Sequence, residues 1–156
     1  MTTAPHLSPA ILPASDHARL QALAEALGGM FDPLGSLLQE KLRRADVREP
    51  DRIPGGTVAL DRFVTFRIDG TGRHQRRLLI HPEDAMWPSA ELSVASPLGI
   101  ALLGLSTGDR AVIVGSAFAE PPWVEVLSVE PVPVGGFARR PSFARGVPSL
   151  TLADQD

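Results

Sequence analysis

The side chains best suited to binding a metal ion lie close together in the middle of the chain. They are His74, His81, Glu83 and Asp84. Imidazole and carboxylate groups are common metal ligands, but the spacing of these residues fits no standard ligand pattern, and a solvated strand end explains them better. The chain has no cysteine, which excludes thiolate ligands, thiol catalysis and disulfides. We therefore predict neither a metal nor another cofactor.

A pair of neighbouring carboxylates would be a second kind of reactive site, because Mg²⁺ prefers hard oxygen ligands. Asp32 is the strongest candidate, but Glu25 lies about two helical turns away from it. An aspartate that precedes a proline and an apolar run is more typical of a helix cap. The serines lack a nucleophile-elbow context and the glycines lack phosphate-loop spacing. We therefore predict no catalytic residues and a protein that is not an enzyme.

The charge of the chain argues against a nucleic-acid partner. The formal net charge is −3, and Lys41 is the only lysine. A local basic patch is formed by Arg73, Arg76 and Arg77, which we interpret as a solvated face, with an acidic partner surface as the alternative. Because no basic field extends over the chain, we predict no direct specific binding to DNA.

The composition is that of an ordinary globular protein. The 156 residues are 44% hydrophobic and 21% charged, which fits one domain with an appendage. No segment approaches the ~20 apolar residues of a membrane span, and residues 1–13 lack the basic start of a signal peptide. We expect a cytoplasmic protein that does not bind membranes. The oligomeric state stays open.

Two short amphipathic helices are predicted near the start of the chain. Residues 1–14 show no period and are expected to form a disordered tail. Segment 15–46 is predicted as an antiparallel helical hairpin, a short coiled coil about 18 Å long, with Ser15-Asp16 as the helix cap and Asp32 at the tip. The charged residues of the second helix are expected to point away from its apolar face: Glu40, Lys41, Arg43 and Arg44. Residues 47–57 are rich in proline and glycine and predict a linker.

The pattern changes to strands between residues 58 and 131. Alternating apolar and polar residues predict strands at 58–68, 74–81, 111–114 and 123–130. Residues 132–156 lack a period and are expected to form a second disordered tail.

The central stretch of this second part combines a strand with a helix. The strand at 92–95 ends at Ser96-Pro97, where the serine is a natural N-cap and the proline suits the first turn of a helix. The residues that follow, 98–105, are apolar nearly all round and predict a short buried helix. The sequence therefore predicts an α+β fold, in which a helical hairpin precedes a β-sheet domain with one short buried helix.

Three segments of the β part resemble a known family. They are HPEDA (81–85), LSVASPLGIALLGLSTGD (92–109) and VEVLSVEP (124–131). Together with the hairpin and the linker, they resemble the nucleoside diphosphate kinase regulator family, called Rnk, whose members look like Gre transcript-cleavage factors with a shortened coiled coil. The resemblance implies that residues 58–131 form a Gre C-terminal, FKBP-like antiparallel β-sheet domain.

The resemblance also implies a partner, bacterial RNA polymerase, bound at the rim of its secondary channel. In Gre factors an acidic residue followed by Ser-Pro helps make this contact. Here Ser96 and Pro97 match and Ala95 occupies the acidic position, so the expected contact residues are Ala95, Ser96, Pro97 and Leu98. Gre factors also carry a pair of acidic residues at the coiled-coil tip that helps hold a catalytic metal, whereas this tip has Asp32 alone. The resemblance therefore implies competition with Gre-type factors without stimulation of transcript cleavage.

Two other functions stay open at the level of the sequence. An FKBP-like fold suggests a peptidyl-prolyl isomerase, but such enzymes use a pocket lined with aromatic residues, and this chain is only 5% aromatic with no tyrosine. The family name implies an influence on nucleoside diphosphate kinase. No nucleotide-binding motif is present, so an indirect effect through transcription is the simpler interpretation.

Overall fold

The computed structural model describes residues 9–69, 73–115 and 120–131. Its first part contains, in order, β1 (Ile11–Pro13), α1 (Ala14–Gly29), α2 (Pro33–Arg44), β2 (Asp46–Arg48) and a 3-10 turn (Pro50–Arg52). Its second part contains β3 (Arg62–Ile68), β4 (Gln75–Ile80), a 3-10 turn (Pro82–Asp84), β5 (Glu91–Ser93), α3 (Pro97–Leu102), β6 (Arg110–Val112) and β7 (Trp123–Pro131). The predicted α+β class is confirmed.

Helices α1 and α2 run antiparallel, as the hairpin prediction requires. The Gln21 side chain donates to the Gln39 side chain at 3.3 Å, and nearer the tip the backbones of Gly28 and Gly35 meet. A Cβ atom on Gly35 would lie 2.7 Å from the backbone nitrogen of Gly28, so only glycine permits this approach. Helix α1 has 16 residues and is therefore longer than predicted, about 24 Å at the usual rise per residue.

Short strands replace part of the predicted tail and linker. Strand β1 pairs in parallel with β2, and Leu12 is fully buried. The prediction of disorder is therefore wrong for residues 9–13, and the linker prediction is wrong at β2 and at the following 3-10 turn. Each strand is too short to show an alternating pattern and is stabilised by a partner distant in sequence. Residues 1–8 and 132–156, also predicted to be tails, lie outside the described residues.

Five strands form one mixed sheet in the order β5-β4-β3-β7-β6. Strand β3 pairs antiparallel with both β4 and β7, and β6 pairs antiparallel with β7. Strand β5 is parallel to β4, so the predicted all-antiparallel sheet is wrong at this edge. The connection 81–90 is long enough to carry the chain back along the sheet before β5 begins, which makes the two strands run in the same direction.

The core lies between one face of this sheet and the helices. A single cluster of buried side chains joins Leu20 of α1, Leu42 of α2 and Leu102 of α3 to Val64 and Val126 of the sheet. Because the hairpin contributes to the same core as α3, it packs directly against the β-sheet domain. This packing determines where the hairpin tip lies relative to the Ser-Pro corner, which we define as residues 95–98.

Candidate partner-binding site

The Ser-Pro corner is held by hydrogen bonds to the end of β5. The Ser96 hydroxyl accepts a hydrogen bond from the Gly99 amide at 3.0 Å and donates one to the Ser93 carbonyl oxygen at 2.6 Å. Pro97 is the first residue of α3, where its missing N–H has no intrahelical partner to lose. The sequence-based predictions of the serine cap and the helix-starting proline are both confirmed.

Gly99 holds the first turn of α3 close to the strand that precedes it. A Cβ atom at this position would lie 2.8 Å from the Cα of Val94, and closer still to the Ser93 carbonyl oxygen. Both neighbours are backbone atoms, which cannot move aside without shifting the chain. The corner is therefore a rigid feature.

The structure places the predicted contact residues on a half-buried surface. The Ala95 amide donates to the Ser93 hydroxyl at 3.0 Å, so its backbone is fixed by the same turn. Leu98 packs against the core cluster, and it therefore contributes more to packing than to the surface.

Helix α3 ends at Leu102, earlier than predicted, because Gly104 turns the chain with a φ angle of +82°.

A groove of about 590 Å³ opens beside Pro97 and brings the hairpin tip next to the corner. Its apolar lining includes Leu34, Leu37, Pro97 and Val114, and Asp32 and Glu40 also border it. Sequence reasoning missed this groove, since it joins residues far apart in the chain and no local pattern encodes such a meeting. The only available signal was the shortness of the hairpin, which limits how far the tip can lie from the sheet.

Asp32 caps α2, as one of its two predicted roles requires. Its Oδ1 atom accepts a hydrogen bond from the Leu34 amide at 2.9 Å. Glu40, the other carboxylate of the groove, forms ion pairs with Arg43 at 2.6 Å and Arg44 at 2.7 Å. The hydrogen bond from Arg43 lowers the pKa of Glu40, so this carboxylate is ionised.

Two ionisable residues attach the hairpin to the β-sheet domain. Lys41 Nζ donates to the carbonyl oxygens of Ile100 at 2.5 Å and Ala101 at 3.0 Å, and burial lowers its pKa to about 7. The carboxylate of Asp16 accepts from the Leu60 amide at 3.0 Å, and burial raises its pKa to about 6. Both sequence-based predictions are wrong here: Lys41 does not point away, and the N-cap of α1 is Pro13. Tertiary hydrogen bonds, which sequence cannot show, override the local preferences.

The other residues considered in the sequence form no metal centre. Among the residues that the structure describes, no group of His, Asp and Glu side chains is placed to hold a metal ion. His81 is buried, its Nδ1 accepts from the Glu83 amide at 3.1 Å, and desolvation lowers its pKa. Arg19 of α1 pairs with Asp84 at 3.2 Å. These side chains serve local structure and the hairpin junction.

The arginine patch is partly engaged with its own sheet. Arg76 stacks on the Phe63 ring at 4.0 Å from its centroid and pairs with Glu130 at 2.6 Å. Arg77 donates to the Glu91 carbonyl oxygen at 3.3 Å.

Within the described ranges, no helix has the length and apolarity needed to cross a membrane.

Comparisons with known proteins agree with this architecture. Residues 53–131, which include the whole Ser-Pro corner, match the family model described as "Transcription elongation factor, GreA/GreB, C-term". The chain therefore belongs to the GreA/GreB family.

Two curated relatives and one solved structure show which members of this family the chain is similar to. The regulator of nucleoside diphosphate kinase of Escherichia coli (strain K12) is 34% identical over 60% of this chain and 69% of its own length, which supports an Rnk-type protein. The transcription elongation factor GreA of Thermotoga neapolitana is 35% identical over 46% of each chain. The structure of a GreA/GreB elongation factor from Nitrosomonas europaea is similar with a TM-score of 0.63 and 28% identity, over 78% of this chain and 98% of that one.

Proposed function

We propose that this protein is a transcription regulator of the bacterial cytoplasm that binds RNA polymerase at the rim of the secondary channel. Ala95, Ser96, Pro97 and Leu98 form the contact. Membership of the GreA/GreB family supports a role in transcription, and the elongation-factor names of its relatives support the polymerase as the partner.

The rigidity of the Ser-Pro corner is the main observation that supports this proposal. The two hydrogen bonds of the Ser96 hydroxyl and the close approach of Gly99 fix Pro97 before any partner arrives. A surface that is already ordered loses little conformational entropy on binding, so its contacts contribute more fully to affinity. The groove beside Pro97 adds an apolar surface that a protruding partner element can enter.

The hairpin tip supports binding without stimulation of transcript cleavage. Asp32 is the single carboxylate between Leu27 and Gly35, and its Oδ1 is occupied by the Leu34 amide. A lone carboxylate that caps a helix is a poor ligand for a catalytic Mg²⁺ ion. The protein therefore competes with Gre-type factors for their docking site and does not supply their catalytic group.

The test compares two proline substitutions at equivalent local positions. Pro97 and Pro82 each begin a short helical segment and are each half-buried, but only Pro97 lines the groove. Glutamate is compatible with the start of a helix, so Pro97→Glu and Pro82→Glu are both expected to fold. Pro97→Glu should weaken binding to core RNA polymerase by at least about tenfold, because it places an uncompensated charge in the contact. Pro82→Glu should bind like the wild type.

Two further outcomes decide the proposal. No binding of the wild-type protein to core polymerase would refute it, and equal binding of both variants would move the contact away from the corner. In stalled elongation complexes, the protein alone should release no cleaved transcript. In excess, it should reduce the cleavage that a Gre factor stimulates.

Two alternative functions have less support. The name of the Escherichia coli relative points to nucleoside diphosphate kinase, and we infer an indirect effect through transcription because the sequence has no nucleotide-binding motif. A peptidyl-prolyl isomerase would require an FKBP-like domain with an aromatic pocket. Among the residues that the structure describes, none that lines the groove beside Pro97 is aromatic. A proline-isomerisation assay on a tetrapeptide separates that alternative from the binding role.

A further inference from the structure

Two large apolar side chains are exposed at the tip of the hairpin. Met30 is 67% exposed and Phe31 is 93% exposed. We call these two residues the apolar tip. Nearly the whole Phe31 ring faces solvent, so packing within the hairpin does not account for it.

The backbone that carries the apolar tip is firmly held. The amides of Met30 and Asp32 both donate to the Leu27 carbonyl oxygen at 3.0 Å, and the Phe31 amide donates to the Gly28 carbonyl oxygen at 3.0 Å. Phe31 has a φ angle of +58°, in the left-handed region that aromatic residues rarely adopt. The tip therefore combines an exposed aromatic ring with an unfavourable backbone conformation. Asparagine or glycine at this position would expose no aromatic ring and would adopt the positive φ angle more readily.

The surroundings of the tip predict an apolar rather than an ionic contact. Between Ala26 and Leu37 the only charged side chain is Asp32. Asp32, which follows Phe31 directly, borders the groove that Pro97 also lines. The apolar tip is thus joined through Asp32, its neighbour in the chain, to the surface proposed to bind the polymerase.

We propose that Met30 and Phe31 insert into an apolar pocket of RNA polymerase and form a second contact beside the Ser-Pro corner. This inference rests on the proposed function. Phenylalanine and methionine are both enriched at the centres of protein–protein interfaces, where a few side chains dominate the affinity. The tip then acts as an anchor of the bound protein, in place of a metal-holding pair of carboxylates.

The experiment measures the affinity for core RNA polymerase and the thermal stability of the same variants. Phe31→Gly and Phe31→Asn remove the ring but suit a positive φ angle. Both should bind about tenfold to a hundredfold more weakly, as expected for the loss of a buried aromatic contact. Their thermal unfolding midpoints should equal or exceed that of the wild type. Because the contact is apolar, the ratio of affinities should be the same at low and at high salt.

Trp87→Ala is the matched control, because Trp87 is another exposed aromatic residue, at 55%, and does not line the groove. It should bind like the wild type, which would exclude a general effect of surface apolarity. If the wild type binds and both Phe31 variants bind equally well, the inference is overturned and the proposed function stands. If the wild type does not bind, both are overturned.

Two results would assign the tip another role and overturn the inference. Loss of binding together with a lower unfolding midpoint in both variants would make Phe31 a structural residue. A dimer of the free protein that Phe31→Gly dissociates would make the tip a self-association surface.

Discussion

The two ends of α3 are held by different chemistry. At the N-terminal end, the Ser96 hydroxyl connects the Gly99 amide to the Ser93 carbonyl oxygen, and all of these groups are neutral. At the C-terminal end, the carbonyl oxygens of Ile100 and Ala101 accept from the ammonium group of Lys41, whose pKa burial lowers to about 7. One end is therefore independent of pH, and the other is ionisable.

The two ends of α3 also contact different parts of the molecule, the groove at one end and the hairpin at the other. The neutral end presents Pro97 to the groove, so the geometry of the proposed contact does not depend on pH. The ionisable end fixes α2 to the β-sheet domain through Lys41. Just beyond this end, Gly104 lies against Ala10, which precedes β1. The geometry of the proposed contact is thus separated from the electrostatics of the hairpin junction, although a single helix of six residues connects them.

The largest expected effect comes from crowding the neutral end. In Gly99→Ala, the new methyl group would meet backbone atoms of Ser93 and Val94, the latter at 2.8 Å. Since backbone cannot move aside as a side chain can, we expect a loss of about 3 kcal/mol or more in the free energy of unfolding, the upper end for an overpacked site. This loss is measured by urea unfolding monitored by circular dichroism.

Gly28→Ala is the control for that substitution. Gly28 lies in α1, and a Cβ atom there would have no neighbour within 4 Å. Alanine favours a helix over glycine, so this variant should be unchanged or more stable by up to about 1 kcal/mol. A loss in Gly28→Ala similar to that in Gly99→Ala would contradict the account of a specifically crowded corner.

The ionisable end predicts a rise of stability with pH. Above a pKa of about 7 the folded protein has released the Lys41 proton, whereas the unfolded chain retains it up to the ordinary value of 10.5. The unfolded state then binds more protons, so the free energy of unfolding increases with pH. From about pH 8 to about pH 10 we expect a gain of about 2 to 3 kcal/mol, measured by urea unfolding at each pH.

The composition makes this measurement unusually specific. The chain has no cysteine and no tyrosine, and Lys41 is its only lysine. Apart from the terminal amino group, no other side chain has its ordinary titration in this pH range. Lys41→Met keeps most of the apolar stem and removes the charge, so its stability should not change with pH over the same interval. An equal rise in wild type and variant would show that Lys41 is not the responsible group.

The parts of the fold that sequence predicted correctly depend on local rules. The caps at Ser96 and Asp32 each join a side chain to an amide within three residues. The start of α3 at Pro97 depends only on the fixed φ angle and missing N–H of the proline itself. Their outcome is determined by neighbours in the chain, which a sequence shows directly. The hairpin was predictable for the same reason, because its apolar spacing and its short connection are local features.

The parts that sequence missed all require contacts between distant residues. Strands β1 and β2 pair across the whole hairpin, and neither has enough residues to show a period. The Lys41 side chain leaves the expected charged face because the end of α3 offers two carbonyl oxygens. The groove forms for a similar reason, since Asp32 and Pro97 become neighbours only when the hairpin packs on the sheet domain.

The smallest expected effect tests whether the neutral end is in fact independent of pH. Ser96→Ala removes the hydroxyl that accepts from the Gly99 amide and donates to the Ser93 carbonyl oxygen. Loss of a helix cap of this kind costs about 1 to 2 kcal/mol in the free energy of unfolding. Because neither partner titrates, the cost should be the same at about pH 8 and about pH 10, in contrast to the change expected for Lys41 over that interval. A cost that grows or shrinks with pH would mean that the two ends of α3 are coupled, and a partner bound at Pro97 would then sense the protonation of Lys41 through the helix.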